Sequence, residues 1–167
     1  DSGPKLMKND TESNRPVRIG LISDTHGLLR PEALVVMQGC DRIIHGGDIG
    51  KPEILDALRA IAPLTVVRGN NDTQEWARDI PESARLHVGG IDIFVVHDIA
   101  DARGNDLGAR VVISGHSHQP AISERDGKLY VNPGSAGRRR FKLPISVAEL
   151  VIKDGAVSAR IIEITPA

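Results

Sequence analysis

Five short blocks of this chain carry side chains of the kinds that bind cations: Asp24-Thr25-His26, Gly47-Asp48, Gly69-Asn70-Asn71-Asp72, His97-Asp98 and Gly115-His116-Ser117-His118. Each follows a stretch rich in Val, Ile and Leu. Carboxylate, amide and imidazole donors together suffice for two metal ions, and imidazole favours Mn, Fe, Co, Ni or Zn over Ca. Two adjacent divalent cations are a device for phosphoester hydrolysis.

Asp24 and His26 are two residues apart. In an extended segment side chains i and i+2 point the same way, so both can meet one ion. Asp24 can equally cap a following helix. Asp48 follows two glycines, where the backbone can bend sharply and let a ligand close. Its two oxygens can bridge two cations. Asn70 offers a neutral amide oxygen, which limits excess charge at a crowded site. His116 and His118 can serve one ion together or one ion each, and His97 ends the apolar run 91–96. Any one block reads as an ordinary turn. All five fall at the ends of apolar runs, and ligands of open α/β sheets bind outside the carboxyl ends of the strands.

The elements that would position these blocks are legible in the pattern. Residues 17–23, 42–45 and 64–67 read as buried strands. Residues 31–37 and 52–61 read as helices with Pro at the first turn; Ile54, Leu55, Leu58 and Ile61 keep a helical spacing and Pro63 ends it. This alternation predicts a parallel α/β sheet. The second half predicts a strand at 111–114 and three hairpins, 86–88 with 91–96, 121–124 with 129–131, and 145–152 with 156–164, turning at Gly89-Gly90, Asp126-Gly127 and Asp154-Gly155. The expected architecture is one α/β domain over residues 16–167, a four-layer αββα sandwich of two mixed β-sheets flanked by helices.

The chain has 167 residues, 40% of them apolar, enough for one domain with a largely aliphatic core. A net charge of −1 supplies no global field for nucleic acid or an anionic membrane. The single cysteine, Cys40, permits no intrachain disulfide and reads as a small buried hydrophobe. No run approaches the ~20 apolar residues of a membrane span, and the N-terminus lacks the apolar segment of a secretory signal. A cytoplasmic setting is expected. Residues 1–15 are polar and unpatterned, and are expected to be a disordered N-terminal leader or an expression remnant, with Met7 as a native start.

The series SDTHG, HGGD, GNND, VVHD and GHSHQP, followed by NPGS, resembles the calcineurin-like metallophosphoesterase superfamily over about residues 17–164. The length and the NPGS segment resemble its small bacterial and archaeal phosphodiesterases of the YfcE type. The resemblance implies the metallophosphoesterase fold and two divalent ions, Mn foremost, with Ni, Fe, Co or Zn as alternatives. It implies Asp24, His26 and His118 on the first ion, Asn70, His97 and His116 on the second, and Asp48 bridging them. Asp48, Asn70, Asn71 and Asp72 form the implied catalytic group. A bridging hydroxide would attack phosphorus; a bound cation can lower the pKa of water from about 15.7 toward ~7. The implied partner is a small phosphodiester substrate, with no membrane and no nucleic acid; a homo-oligomer is left open.

Two positions depart from the family pattern. Many members carry His where this chain has Asn71, and an amide cannot act as a general acid at neutral pH. That points to diesters, or to esters with good leaving groups. Val96 and Asp98-Ile99 flank His97 where the family usually has a glycine beside the histidine; Asp98 is expected to orient an imidazole. His45 reads as packing behind the ligands and His87 as surface. Arg138-Arg139-Arg140-Phe141-Lys142 reads as a solvated basic loop; the alternatives are an arginine on substrate phosphate or a contact for an anionic partner. Two rival functions remain. One is an interaction scaffold of the same fold, like the retromer subunit. The other is a nuclease, disfavoured by the short chain and the charge.

Overall fold

The computed structural model describes residues 15–166. Apart from Arg15, the N-terminal leader expected from the sequence lies outside the described residues. Along the chain run β1 (Val17–Ile22), α1 (Pro31–Met37), β2 (Arg42–His45), α2 (Pro52–Arg59), β3 (Leu64–Val66), β4 (Ser83–Val88), β5 (Ile91–Val96), β6 (Val111–Ile113), β7 (Ala121–Arg125), β8 (Lys128–Asn132), β9 (Ser146–Lys153) and β10 (Ala156–Glu163). Short 3-10 turns cover Glu75–Ala77 and Ile99–Ala102.

The first sheet has the order β10-β9-β1-β2-β3 and the second β4-β5-β6-β8-β7. Strands β1, β2 and β3 are parallel, as the βα alternation predicts. The three hairpins form as β4–β5, β7–β8 and β9–β10. Two pairings were not legible in the local pattern. Strands β5, β6 and β8 lie parallel at the centre of the second sheet, and β9 crosses to pair antiparallel with β1. Both sheets are therefore mixed.

Alternation of side chains along each strand sends one set between the sheets and the other outward. Ile19, Leu21, Ile44, Ile93, Ile113 and Leu150 fill the space between the sheets. On the outer face of the first sheet, Met37 of α1 and Ile54, Leu55 and Leu58 of α2 pack with Ile22, Ile43 and Val66. The outer face of the second sheet carries Phe94, Val96 and Val112, covered by Ala102 and Ala109 from a 3-10 turn and a loop. The fourth layer is thus thinner than the word helix implies.

Both helices start with proline at their first position. Helix α2 ends at Arg59 and not at Ile61, because Pro63 disfavours the helical conformation for the residue before it. The amides of Ile61 and Ala62 both turn back to the Leu58 carbonyl. Among the described residues no helix is long and apolar enough to cross a membrane.

Register decides where the site lies. Ile22, His45 and Val66 are cross-strand partners in the first sheet, as are Val95, Ile113 and Val131 in the second. In each sheet three parallel strands therefore end at matched levels, and the loops that follow leave from their carboxyl ends.

Candidate metal centre

The five blocks predicted from sequence occupy five of those loops and meet around two buried carboxylates. Asp24 and Asp48 are 0% and 2% exposed. His26 Nε2 lies 3.8 Å from Asp24 Oδ1 and 3.6 Å from Asp48 Oδ2. His118 Nε2 is 3.5 Å from Asp24 Oδ1 and 3.3 Å from His26 Nε2. His97 Nε2 is 3.2 Å from Asp48 Oδ2 and 4.0 Å from Asp24 Oδ1. Two groups with metal-binding spacing result, Asp24-His26-His118 and Asp24-Asp48-His97. Asn70 and His116 form an outer pair with Asn70 Oδ1 3.1 Å from His116 Nδ1, and the His116 ring stands edge-on to His97 at 5.2 Å. The two histidines of the GHSH block thus face opposite halves of the cluster.

Asp24 and His26 do meet, but not through an extended backbone. Asp24, His26, Asp48, His116 and His118 all adopt positive φ, between 47° and 73°. That region is unfavourable for residues with a Cβ and persists only where the surroundings impose it. Nor does Asp24 cap α1, whose N-terminus has no side-chain cap. Its Oδ2 accepts from the Ser23 hydroxyl and the His116 amide.

The supports come from the loops themselves. Gly69 and Gly115 let the strands' ends approach: a Cβ at Gly69 would strike the Asp48 carboxylate, and one at Gly115 the Ser23 hydroxyl. Asp72, expected in the catalytic group, faces backbone instead. Its Oδ2 accepts from the Asp48 and Gly69 amides at 2.9 and 2.8 Å, and its Oδ1 from Ile49 at 2.9 Å. It staples the Gly47-Asp48 loop to the Gly69-Asn70 loop. Asn71 binds both oxygens of Asp48, through its backbone amide at 2.9 Å and its side-chain amide at 3.1 Å.

His45 is fully buried and holds the loop behind the cluster. The Gly47 amide donates to its Nδ1 at 3.0 Å, so Nε2 carries the proton and donates to Thr25 Oγ1, whose hydroxyl donates to the Ile49 carbonyl. Burial pushes His45 down to about 3, with His97 adding to the effect, so the ring is neutral. His87 is exposed and pairs with Asp92 across the β4–β5 hairpin. The loop after β8 is a support to which the residue types alone assigned no role. There the Ser135 hydroxyl donates to the Asp24 carbonyl, the Ala136 amide donates to the Ser23 carbonyl, and Gly137 lies against Thr25. The signal that could have identified this loop is NPGS following a buried strand. In the basic run that follows, Arg139 donates to the Leu143 carbonyl and Phe141 is 86% exposed.

The electrostatics match a cation site. Asp24 Oδ1 is buried without a hydrogen-bond partner, and His97 Nε2 faces the Asp48 carboxylate at 3.2 Å; both belong to one of the two ligand groups. Burying an unpaired carboxylate oxygen is costly, and bound cations would satisfy these atoms. Burial raises Asp24 to about 6. Burial would raise Asp48 as well, but His97, the Asn71 amide and His26 hold it at about 2. Burial would lower His97, yet Asp48 and the Gly46 carbonyl, 2.7 Å from Nδ1, raise it to about 9. Burial and the neighbouring His26 and Arg140 lower His118 to about 4. The donor set of carboxylate and imidazole fits divalent metal ions.

Comparison with known proteins agrees with this chemistry. The sequence profile of the calcineurin-like phosphoesterase superfamily domain matches residues 17–155. A probable metallophosphoesterase of Methanothermobacter thermautotrophicus is 35% identical over 158 residues, covering 86% of this chain and 91% of that protein. A phosphodiesterase of Methanocaldococcus jannaschii is 26% identical over 138 residues, covering 71% and 83% of the two chains. Among solved structures, Vacuolar Protein Sorting 29 from Cryptosporidium parvum superposes with a TM-score of 0.73 at 19% identity, over 90% of this chain and 98% of its own; that likeness is one of fold.

Two outcomes follow from the geometry. His97 held protonated by Asp48 stabilises the metal-free fold most fully below its unfolded pKa of about 6.5, and that contribution is lost as pH rises through about 9. A cation must displace the same proton. Metal affinity should therefore rise with pH between about 6 and 9, with proton release visible by calorimetry in buffers of different ionisation enthalpy. Affinity independent of pH would contradict it. Asp72→Ala should destabilise the metal-free protein by about 2–5 kcal/mol, since it strands buried amides. Urea unfolding reads this, and a variant of unchanged stability that loses only turnover would make Asp72 a catalytic residue.

Proposed function

The chain belongs to the calcineurin-like phosphoesterase superfamily, and on that premise we propose that it is a divalent-metal-dependent phosphodiesterase. The observation that carries the proposal is the convergence of buried ligand atoms on the strand-end loops, with Asp24 Oδ1 unpaired and His97 Nε2 facing Asp48. Asp24, His26 and His118 would hold one ion, Asn70, His97 and His116 the other, with Asp48 shared. Two bound ions would supply an acidified water as nucleophile and neutralise charge on the attacked phosphate. Mn is the first candidate metal, with Ni, Fe, Co and Zn as alternatives.

The chain's own residues define which ester suits the site. The bonds from Asn71 to both oxygens of Asp48 fix the orientation of the shared carboxylate. Asn71 therefore serves placement, and it has no acidic proton for a departing alkoxide. Diesters, and aryl esters whose leaving groups depart as stable anions, need no such proton. The relative named as a phosphodiesterase supports the diester reading. A buried, unbridged Cys40 fits a reducing cytoplasmic setting.

Bis-p-nitrophenyl phosphate should be hydrolysed with Mn²⁺ or Ni²⁺, and a chelator should abolish the turnover. Asp48→Ala should lose two-metal stoichiometry. Protein that binds both ions yet turns over no diester or aryl monoester would favour the scaffold reading. Asn71→His, which places an imidazole beside the shared carboxylate, should raise kcat for phenyl phosphate relative to the bis-aryl diester by at least about tenfold. An unchanged ratio would remove Asn71 from the account of specificity.

A further inference from the structure

The two flanks of the cluster differ in charge. On the side of Asn70, His97 and His116 a cleft of about 620 Å³ is bordered by Glu82, Asp98 and Asp101. Glu82 pairs with Arg68 at 3.4 Å, Asp98 Oδ2 stands 3.7 Å from His116 Nε2, and the Arg85 guanidinium lies over Phe94. With His97 also in the wall, that flank is balanced.

The side of Asp24, His26 and His118 is not. The loop after β8 reaches it at Gly137, whose backbone lies against the Asp24 and Thr25 carbonyls. Arg30 donates to the Gly137 carbonyl through two guanidinium nitrogens, at 3.3 and 3.2 Å, and fixes the root of the loop. Arg138, Arg139, Arg140, Phe141 and Lys142 follow, all exposed. Arg139 is occupied by the Leu143 carbonyl. Among the described residues no carboxylate comes within 4.0 Å of the charged groups of Arg138, Arg140 or Lys142. The charge of Arg140 acts on His118, so the tip stands near the cluster.

The tip has a shape as well as a charge. The Leu143 amide donates to the Arg140 carbonyl and closes a turn. Inside it Phe141 holds a φ of 54° and leaves its ring 86% exposed, with the Arg140 guanidinium 5.7 Å from the ring centroid. A bulky residue in left-handed backbone is strained, and an exposed ring gains nothing from the core. Unpaired guanidinium groups beside an apolar face suit a phosphate carried on a carbon frame. Because the root packs on the segment that bears Asp24 and His26, a group held at the tip lies beside an ester phosphate at the metals.

We propose that loop 138–142 is an anion subsite for a second phosphate, so that the preferred diester carries a further phosphate on one alcohol arm. The scissile phosphate would sit at the metal cluster, the carbon frame of the arm against Phe141, and the second phosphate among Arg138, Arg140 and Lys142. The inference deepens the phosphodiesterase reading and rests on it for the position of the scissile phosphate.

Two esters that differ only in the second phosphate test it: the p-nitrophenyl ester of thymidine 5′-phosphate, and the same ester with a 3′-phosphate. With metal-loaded protein at low salt the doubly phosphorylated ester should be favoured in kcat/KM by about tenfold, and the ratio should shrink as ionic strength rises. In the R138Q/K142Q double variant the ratio should fall by about two- to fivefold for each cation removed. Calorimetry reads the same preference without turnover. Thymidine 3′,5′-bisphosphate should bind the metal-loaded protein more tightly than thymidine 5′-phosphate, and the double variant should lose most of the difference. A ratio at or below one, or a preference that the double variant leaves unchanged, overturns the subsite alone. Sedimentation with phosphatidylserine vesicles that the double variant abolishes, while the bisphosphate preference persists in that variant, overturns it in favour of a membrane surface. Absence of turnover for both esters, with the calorimetric preference present and lost in the double variant, overturns the phosphodiesterase reading and upholds the subsite.

Discussion

Two carboxylates that would repel one another, Asp24 and Asp48, are buried together at the point where the two sheets meet, with donor atoms of Asp24, Asp48 and His97 all within 4.8 Å. The surrounding structure answers that constraint. Asp24 is braced by the Ser23 hydroxyl and the His116 amide, and Asp48 by Asn71 and a protonated His97. Asp72 and His45, neither of them in the cluster, fasten the loops on which these groups ride. Left-handed backbone at five of the seven candidate ligand positions belongs to the same arrangement, since such strain survives only where hydrogen bonds and packing over-determine it. The donor geometry is thus built by the polypeptide, which is the condition for a preorganised site.

Much of this was legible in the residues, for identifiable reasons. Strand and helix positions followed from period and from Pro and Gly punctuation, and α1 and β2 fall where the pattern puts them. The site blocks were visible because they interrupt apolar runs. What was not legible is non-local. Nothing near residue 146 indicates that β9 will lie beside β1, and nothing in the second half announces parallel neighbours. Reading Asp24-Thr25-His26 as extended reached the right partners by the wrong backbone, because positive φ at non-glycine residues is imposed by tertiary contacts. The setting of Asp72 was hidden for a related reason. Its type and position in Gly69-Asn70-Asn71-Asp72 suit catalysis, and only the fold shows its oxygens committed to amides.

The site is also asymmetric. On one side Asp24, His26 and His118 stand against the loop that continues into three arginines; on the other, Asn70, His97 and His116 border a cleft walled by carboxylates. The asymmetry arises from the fold. Two helices thicken the first sheet, while the second is covered by a loop and a 3-10 turn that Asp98 caps and that contains Asp101. A thin layer leaves room beside the cluster, and the turn's own capping chemistry places acidic groups there.

The pairing of β1 with β9 has a consequence in time. Strand β1 stands between β2 and a partner more than 120 residues later in the chain, with Val17 opposite Ile152. The carbonyls of Ser23 and Asp24 are bound by Ala136 and Ser135, which are also made late. Closing such long loops is slow and cannot start until both ends exist. A nascent chain emerging in order would present Asp24 and His26 long before their supports. The centre therefore depends on residues as late as β9, and a cation held in this geometry would be captured only after that strand is made.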